Sequence, residues 1–212
     1  MPSSNGQKKK AARVVAQALA RKRLPGRLIV VAGPSGVGKT SLCKEALEAL
    51  GPSRIRWSIS HTTRPRRKGE KNGREYYFVS KPAFEKMIRG KKFVEHAVVH
   101  GNLYGTSKAE LDRIRRTGAD ALIEIDVQGA RSISRIYPEA VTIFILPPSL
   151  TALEKRLRGR GTDAPDVIRR RIRNAYQEIT LAPRFRYNLV NADFGEALQD
   201  LVGIIRAQGC GL

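Results

Sequence analysis

Acidic residues are scarce in this chain, cysteines scarcer still, and no apolar run approaches the roughly 20 residues that a membrane-spanning helix needs. Each shortage closes off a class. The 212 residues hold two cysteines, Cys43 and Cys210, far apart and in no metal-ligand spacing. That excludes a disulfide framework and a zinc module, leaves at most one disulfide, and points to a reduced, cytosol-like compartment. Aromatics make up 6% of the chain, too few to interleave a basic surface with stacking platforms for nucleic acid. No internal repeat is present, which excludes a solenoid.

What remains is abundant positive charge on a chain with enough apolar content for a core. Hydrophobic residues make up 41%, and the length suits one domain or a core with inserted lobes. Lys and Arg number 40 against 19 Asp and Glu, a net charge of +21. Residues 1–27 hold eight of those cations and no acid, so 32 cations against 19 acids, a net +13, remain beyond them. A basic, acid-free tail is ordinarily solvated. Two further readings stay open: contact with nucleic acid or an anionic surface, through a short amphipathic helix at 11–20, or an organellar presequence.

Residues 33–40 read G-P-S-G-V-G-K-T, directly after the apolar run L-I-V-V-A at 28–32. Glycines at 33, 36 and 38 let the backbone curl until its N–H groups converge on phosphate oxygens. Lys39 reaches the β- and γ-phosphates, and the Thr40 hydroxyl is a Mg²⁺ ligand. Residues 40–50 carry Leu42, Ala46, Leu47 and Leu50 at helical spacing, so the phosphates also meet a helix N-terminus. A buried strand, this loop and a following helix together form a P-loop.

Further along, strands are expected at 54–60, 75–79, 93–99, 121–126, 141–146 and 187–190. Helices are expected at 82–89, 108–117, 150–157 and 196–207, and a turn at 100–102. Residues 62–73 form a loop dense in Arg, Lys, Pro and Gly. Apolar strands alternating with helices imply a parallel sheet covered on both faces. Asp126 falls at the carboxyl end of its strand, where α/β sheets bind ligands. It serves either on the metal side of the site or as an N-cap for the segment that follows. Seven arginines crowd residues 156–173, among Gly159, Gly161 and Thr162. Planar guanidiniums on a mobile lid suit the charge that spreads over a phosphoryl group in transfer.

Five motifs stand in order: G-P-S-G-V-G-K-T at 33–40, S-I-S-H-T-T-R-P-R-R-K-G-E at 58–70, N-G-R-E-Y-Y-F at 72–78, G-N-L-Y-G-T at 101–106 and L-R-G-R-G-T at 157–162. With E-I-D-V-Q-G at 124–129 and I-F-I-L-P-P-S at 143–149, the set strongly resembles guanylate kinase over residues 26–207. The resemblance implies an ATP:GMP phosphotransferase of purine nucleotide metabolism, a nucleoside monophosphate kinase that uses Mg²⁺ and yields ADP and GDP. It implies an α/β fold: a P-loop NTPase-type parallel sheet flanked by helices, an inserted α+β GMP-binding lobe and a helical, arginine-rich lid. The expected division is a basic tail at 1–25, a kinase domain at 26–207 and a short C-terminal tail at 208–212. Within the domain the core is 26–57, 108–155 and 178–207, the GMP lobe 58–107 and the lid 156–177.

For the site, the resemblance implies ATP contacts from Gly33, Pro34, Ser35, Gly36, Val37, Gly38, Lys39, Thr40 and Ser41, with Asn191 on the adenine or lid side. Arg64, Arg67, Tyr76 and Tyr104 match positions on the GMP phosphate, and Glu70 an acid that orients them. Ser60, Glu95 and Thr106 match guanine readers. A carboxylate accepts from both N1–H and the 2-amino group of guanine, a pair that adenine lacks. Glu124 and Asp126 complete the GMP side, Glu124 standing where many relatives carry Asp, and Leu103 where many carry an aromatic. Lys39, Arg160 and Arg171 are the expected catalytic residues, with Arg156 beside them, and Thr40 and Asp126 hold the metal, Asp126 directly or through water. The acceptor is GMP and the compartment cytoplasmic; use of dGMP, which turns on contacts to the 2′-OH, and the oligomeric state are not legible. An interaction module built on the same fold ordinarily has a broken P-loop, whereas Lys39 and Thr40 are present here. A kinase for a sugar bisphosphate would lack the guanine readers.

Overall fold

A computed structural model describes residues 25–99, 101–159 and 164–208. The expected tail helix, most of the basic tail, His100 of the expected turn, Arg160, Gly161, Thr162, Cys210 and the chain end beyond 208 lie outside the described residues.

Strand β1 (Leu28–Ala32) shows why the core forms. All five of its residues are buried. Leu28, Val30 and Ala32 enter one apolar cluster while Ile29 and Val31 enter another, as the two-residue period of a strand requires. A strand buried on both faces belongs at the centre of a parallel sheet. Its neighbours are β7 (Asp120–Glu124) and β8 (Val141–Leu146), in parallel register with Leu28 opposite Ala121 and Ile29 opposite Val141. With β2 (Ile55–Trp57) and β9 (Tyr187–Val190) outside them, the order is β2-β7-β1-β8-β9. Helices α1 (Lys39–Leu50) and α7 (Phe194–Ala207) cover one face. Helices α3 (Lys108–Arg115) and α4 (Val127–Ile136) cover the other. The chain leaves β1 toward β2 and later crosses to β8. The switch point therefore lies beside the carboxyl end of β1, where open α/β sheets bind ligands.

A second sheet of four strands, β4-β3-β6-β5, branches from this core. It comprises β3 (His61–Thr62), β4 (Tyr77–Phe78), β5 (Phe93–Val99) and β6 (Asn102–Ser107), with α2 (Lys81–Arg89) packed on it through stacked Phe84 and Phe93 rings. Two more helices, α5 (Leu150–Gly159) and α6 (Pro165–Ile179), carry the arginine-rich stretch.

Several sequence expectations are corrected. The strand expected at 54–60 is confined to 55–57, because the chain then passes to the second sheet at His61. That at 75–79 is confined to the strand Tyr77–Phe78, with Tyr76 making an isolated bridge to Asn72. That at 121–126 is shifted to 120–124. Asp126 lies beyond it as the N-cap of α4, its Oδ1 accepting from the Gly129 N–H at 2.7 Å. Strands β3 and β6 were not expected at all: the first has two residues, and the second carries Gly105 and polar residues that blur the alternation.

Candidate active site

The loop between β1 and α1 begins from glycines that only this backbone path requires. Gly33 has φ +143°, and a Cβ there would stand 2.4 Å from the Ile145 carbonyl oxygen. Gly38 has φ +98°, and a Cβ there would stand 2.6 Å from Asn191 Nδ2. Gly38 is also the residue that opens α1, and no side chain caps that helix end. By contrast Ser80, Ser107, Asp126 and Asp193 cap α2, α3, α4 and α7. The first-turn N–H groups of α1 are thus left for an anion.

A cavity of about 350 Å³ lies over this loop. Gly33, Ser35, Gly36, Gly38, Lys39, Thr40 and Ser41 form one wall, and Glu124, Ile125, Asp126 and Glu178 the other. Lys39 Nζ donates to the carbonyls of Gly33 and Pro34 at 2.7 and 2.9 Å, which holds the ammonium at the loop mouth. Thr40 Oγ1 donates to Glu124 Oε1 at 2.9 Å. Pro34 and Val37 do not line the cavity, and the Val37 side chain is buried in the core. Asn191 does not line it either. Its buried amide donates to the Val37 carbonyl at 2.7 Å and braces the loop from behind.

Across the same opening, Arg171 Nη1 donates to Ser35 Oγ at 3.2 Å. Arg156 is turned toward the core, donating to the Asn191 carbonyl at 2.9 Å. Glu178 was missed by the sequence reading. It sits two helical turns after Arg171 on α6, so the same helix face brings both to the loop. Burial raises its carboxyl above the usual range, with Lys39 opposing and Asp126 adding to the shift.

The second sheet presents a cluster of its own. Arg64 and Glu70 form a forked ion pair at 2.7 and 3.1 Å, and the Arg67 N–H donates to Glu70 Oε2 at 2.8 Å. These bonds hold the Glu70 carboxyl below its ordinary range, Arg64 contributing most. The Arg64 guanidinium stands 5.5 Å from the Tyr76 ring centroid, and Tyr76 lies edge-on to Tyr104 at 5.7 Å. Arg67 is exposed. Nearby, Glu95 Oε1 accepts both the N–H and the hydroxyl of Thr106, at 2.9 and 2.6 Å, and Ser60 Oγ lies 3.3 Å from Thr106 Oγ1. Burial pushes the Glu95 carboxyl up, the Thr106 bonds offsetting part of the shift, and the Asp126 charge adds to it. The Tyr76 hydroxyl is raised chiefly by burial and also feels Glu124. The two clusters are therefore within electrostatic reach of each other across Glu124 and Asp126.

Glu110, a second residue missed from the sequence, ties the two sheets together. Its carboxylate accepts a fork from Arg113 at 2.8 and 2.9 Å and the Tyr77 hydroxyl at 3.1 Å. Burial alone would raise its carboxyl, yet these partners hold it below the usual range. The S-x-x-E spacing of Ser107 and Glu110 signals a helix start in sequence, but not this network.

Comparison with known proteins places this geometry. The family model described as guanylate kinase matches residues 25–208. A guanylate kinase of Thiobacillus denitrificans is 50% identical over 183 residues, covering 86% of this chain and 87% of that protein. One of Dechloromonas aromatica is 48% identical, covering 88% and 91%. The crystal structure of guanylate kinase from Anaplasma phagocytophilum superposes with a TM-score of 0.69 at 33% identity, covering 88% of each chain.

Proposed function

The chain belongs to the guanylate kinase family, the ATP:GMP phosphotransferases, and from that premise we propose how its own residues divide the work. The observation that carries the reading is the facing of two unlike clusters. One is an uncapped helix end with a lysine, built for phosphates. The other is a half-buried carboxylate and two hydroxyls beside a held arginine, built for a base and its phosphate.

ATP supplies the donor. Its β- and γ-phosphates lie on the loop N–H groups and the first turn of α1, with Lys39 as the point charge. Arg171, bonded to Ser35 at the rim, neutralises the moving phosphoryl group, and Arg160 joins it on the strength of the family motif. Asn191 holds the loop rather than the nucleotide. GMP is the acceptor. Arg64, Arg67, Tyr76 and Tyr104 bind its phosphate, with Glu70 keeping Arg64 in place. Glu95 has both Thr106 bonds on Oε1, so Oε2 accepts from guanine N1–H and the 2-amino group. The Thr106 hydroxyl proton is given to Glu95, so Ser60, whose bond to Thr106 is long at 3.3 Å, is the hydroxyl that turns to donate to O6. A GMP phosphate oxygen attacks the γ-phosphorus in line. The new O–P bond forms as the bond to the β-phosphate oxygen breaks, and ADP leaves. The attacking oxygen is already anionic, so no general base is needed.

Thr40, Glu124 and Asp126 put hydroxyl and carboxylate oxygens at the loop mouth, the hard donors that Mg²⁺ prefers. No group of three or more His, Cys, Asp or Glu able to hold a metal occurs among the described residues. Thr40 and Asp126 are the residues that would hold the ion. When bound, the ion would supply charge neutralisation for the phosphoryl group in transfer. We assign residues 58–107 to the acceptor lobe and 156–177 to the lid, and place the reaction in the cytoplasm.

A coupled assay of ADP release with MgATP tests the substrate reading, with GMP, AMP, CMP and UMP compared as acceptors. Turnover with GMP alone is expected. Equal turnover on all four would remove the guanine assignment of Glu95 and Thr106 while leaving the kinase.

A further inference from the structure

The net charge of the folded part has no outlet in the phosphotransfer site alone. A larger cavity of about 710 Å³ opens elsewhere, between the turn that follows α2, His61 of β3 and the length of α3. It shares no lining residue with the P-loop cavity. Lys91, Lys92, Lys108, Arg113 and Arg116 line it, and Asp112 is its one carboxylate. Arg113 is committed to Glu110. The other four cations have no ion-pair partner among the described residues. Like charges gathered around a concavity repel one another until an anion enters.

One further observation marks the same place. Lys91 has φ +50° and is the non-glycine residue with positive φ among the described residues. A turn that glycine would make without strain carries a lysine instead, at about 1 kcal/mol. His61 also belongs to the cavity wall, though its Nδ1 is sealed from solvent and takes no part in the site. The volume falls within the range of about 300–1,000 Å³ typical of small-ligand sites. A concavity of this size, bounded by one turn and one helix, suits a compact anion better than an extended nucleic-acid backbone.

We propose that this cavity is a second anion site, separate from both nucleotide subsites, that takes a small polyphosphate: an inorganic oligophosphate or the phosphate tail of a nucleotide. Lys92, Lys108 and Arg116 hold the phosphate oxygens. Bound there, the anion bridges the turn of the second sheet to α3, the helix that leads back into the core.

The test uses the full chain preloaded with a bisubstrate inhibitor that joins adenosine and guanosine through five phosphates, so that both nucleotide subsites are filled. Tripolyphosphate and, in a second arm, GTP are titrated into it and followed by calorimetry. One further site is expected, with affinity falling about tenfold or more in Lys92→Glu/Arg116→Glu. Lys92 and Arg116 are exposed, so the fold is not at risk. Lys44→Glu/Lys155→Glu makes the same change in net charge at exposed positions outside the cavity, and should leave that site intact. Equal binding in both arms means the phosphates alone are read; tighter GTP binding means the nucleoside is held too. No binding to the preloaded chain, or equal loss in both double variants, overturns the proposal. So does binding of a single-stranded oligonucleotide through Lys92 and Arg116 when tripolyphosphate fails.

Discussion

Glu95 carries the sharpest residue-scale consequence of the assigned roles. This half-buried carboxylate must be ionised to accept two N–H groups from guanine, and its partial burial has raised its proton affinity. GMP therefore binds the deprotonated form, and its affinity rises as pH climbs through that raised pKa. Below it the proton occupies the acceptor and affinity is lost. The expected profile of kcat/KM for GMP shows an acid limb above the ordinary carboxylate range, and Glu95→Gln abolishes that limb. The same change lowers kcat/KM for GMP by about 100-fold or more, the worth of two charge-assisted hydrogen bonds, while the Kd for ATP stays put. A variant that retains the limb would show that another group sets it. Glu70 is legible in the same way: its carboxylate is spent on Arg64 and the Arg67 N–H, so it acts on GMP through them.

Among the elements, α1 and α7 make opposite use of their N-termini. Helix α7 is closed by Asp193, which accepts from the Glu196 N–H at 2.9 Å, and its inner face buries Leu201 and Ile205. Asp193→Ala should lower stability by about 1 kcal/mol in urea unfolding without altering the kinetics with GMP or ATP. A loss of activity in the folded variant would show that α7 acts on the site. Helix α1 is left open by Gly38, whose backbone a side chain would strain and whose Cβ would strike Asn191. Gly38→Ala is expected to cost about 100-fold in kcat/KM for ATP, the scale of a misplacement near 1 Å. GMP binding measured by calorimetry should hardly change. Loss of GMP affinity to the same degree would mean that the loop and the second sheet are not independent.

At the scale of the whole molecule, Arg27 gathers three remote parts of the chain. Its backbone N–H and guanidinium bond the buried Asp120 at the start of β7, and Nη2 also donates to the Ile205 carbonyl of α7 at 3.2 Å. Arg27→Met leaves the Asp120 carboxylate buried without its cation. Because Arg27 itself is partly exposed, the expected loss is about 2–3 kcal/mol, at the lower end for a broken buried pair. The KM values for GMP and ATP should not move, since the pair lies at the far end of β1 from the loop. A stability change within 0.5 kcal/mol of zero, on the scale of ordinary surface substitutions, would show that solvent replaces the bond.

The strand Leu28–Ala32, the P-loop and the helix after it were legible from sequence because their signals are local: an unbroken apolar run, glycines at fixed spacing, a helical repeat. The set of ordered motifs likewise determined the family and the candidate residues. Neighbours far apart in sequence decided the rest. Asn191 could be matched to a nucleotide contact, yet only packing put its amide behind Val37, 154 positions away. Asp126 was open to a cap or a metal-side role; the strand's early end at Glu124 lets Oδ1 cap α4 while the residue still lines the cavity, so the two are compatible. Glu178 and Glu110 carry no motif of their own. They gain their surroundings when α6 is laid against the loop and α3 against β4. Strand β6 has too little alternation to be read alone and exists because β5 and β3 supply its hydrogen bonds on both sides. Local chemistry is written in the chain; partners across long separations are chosen only when burial brings those elements into contact.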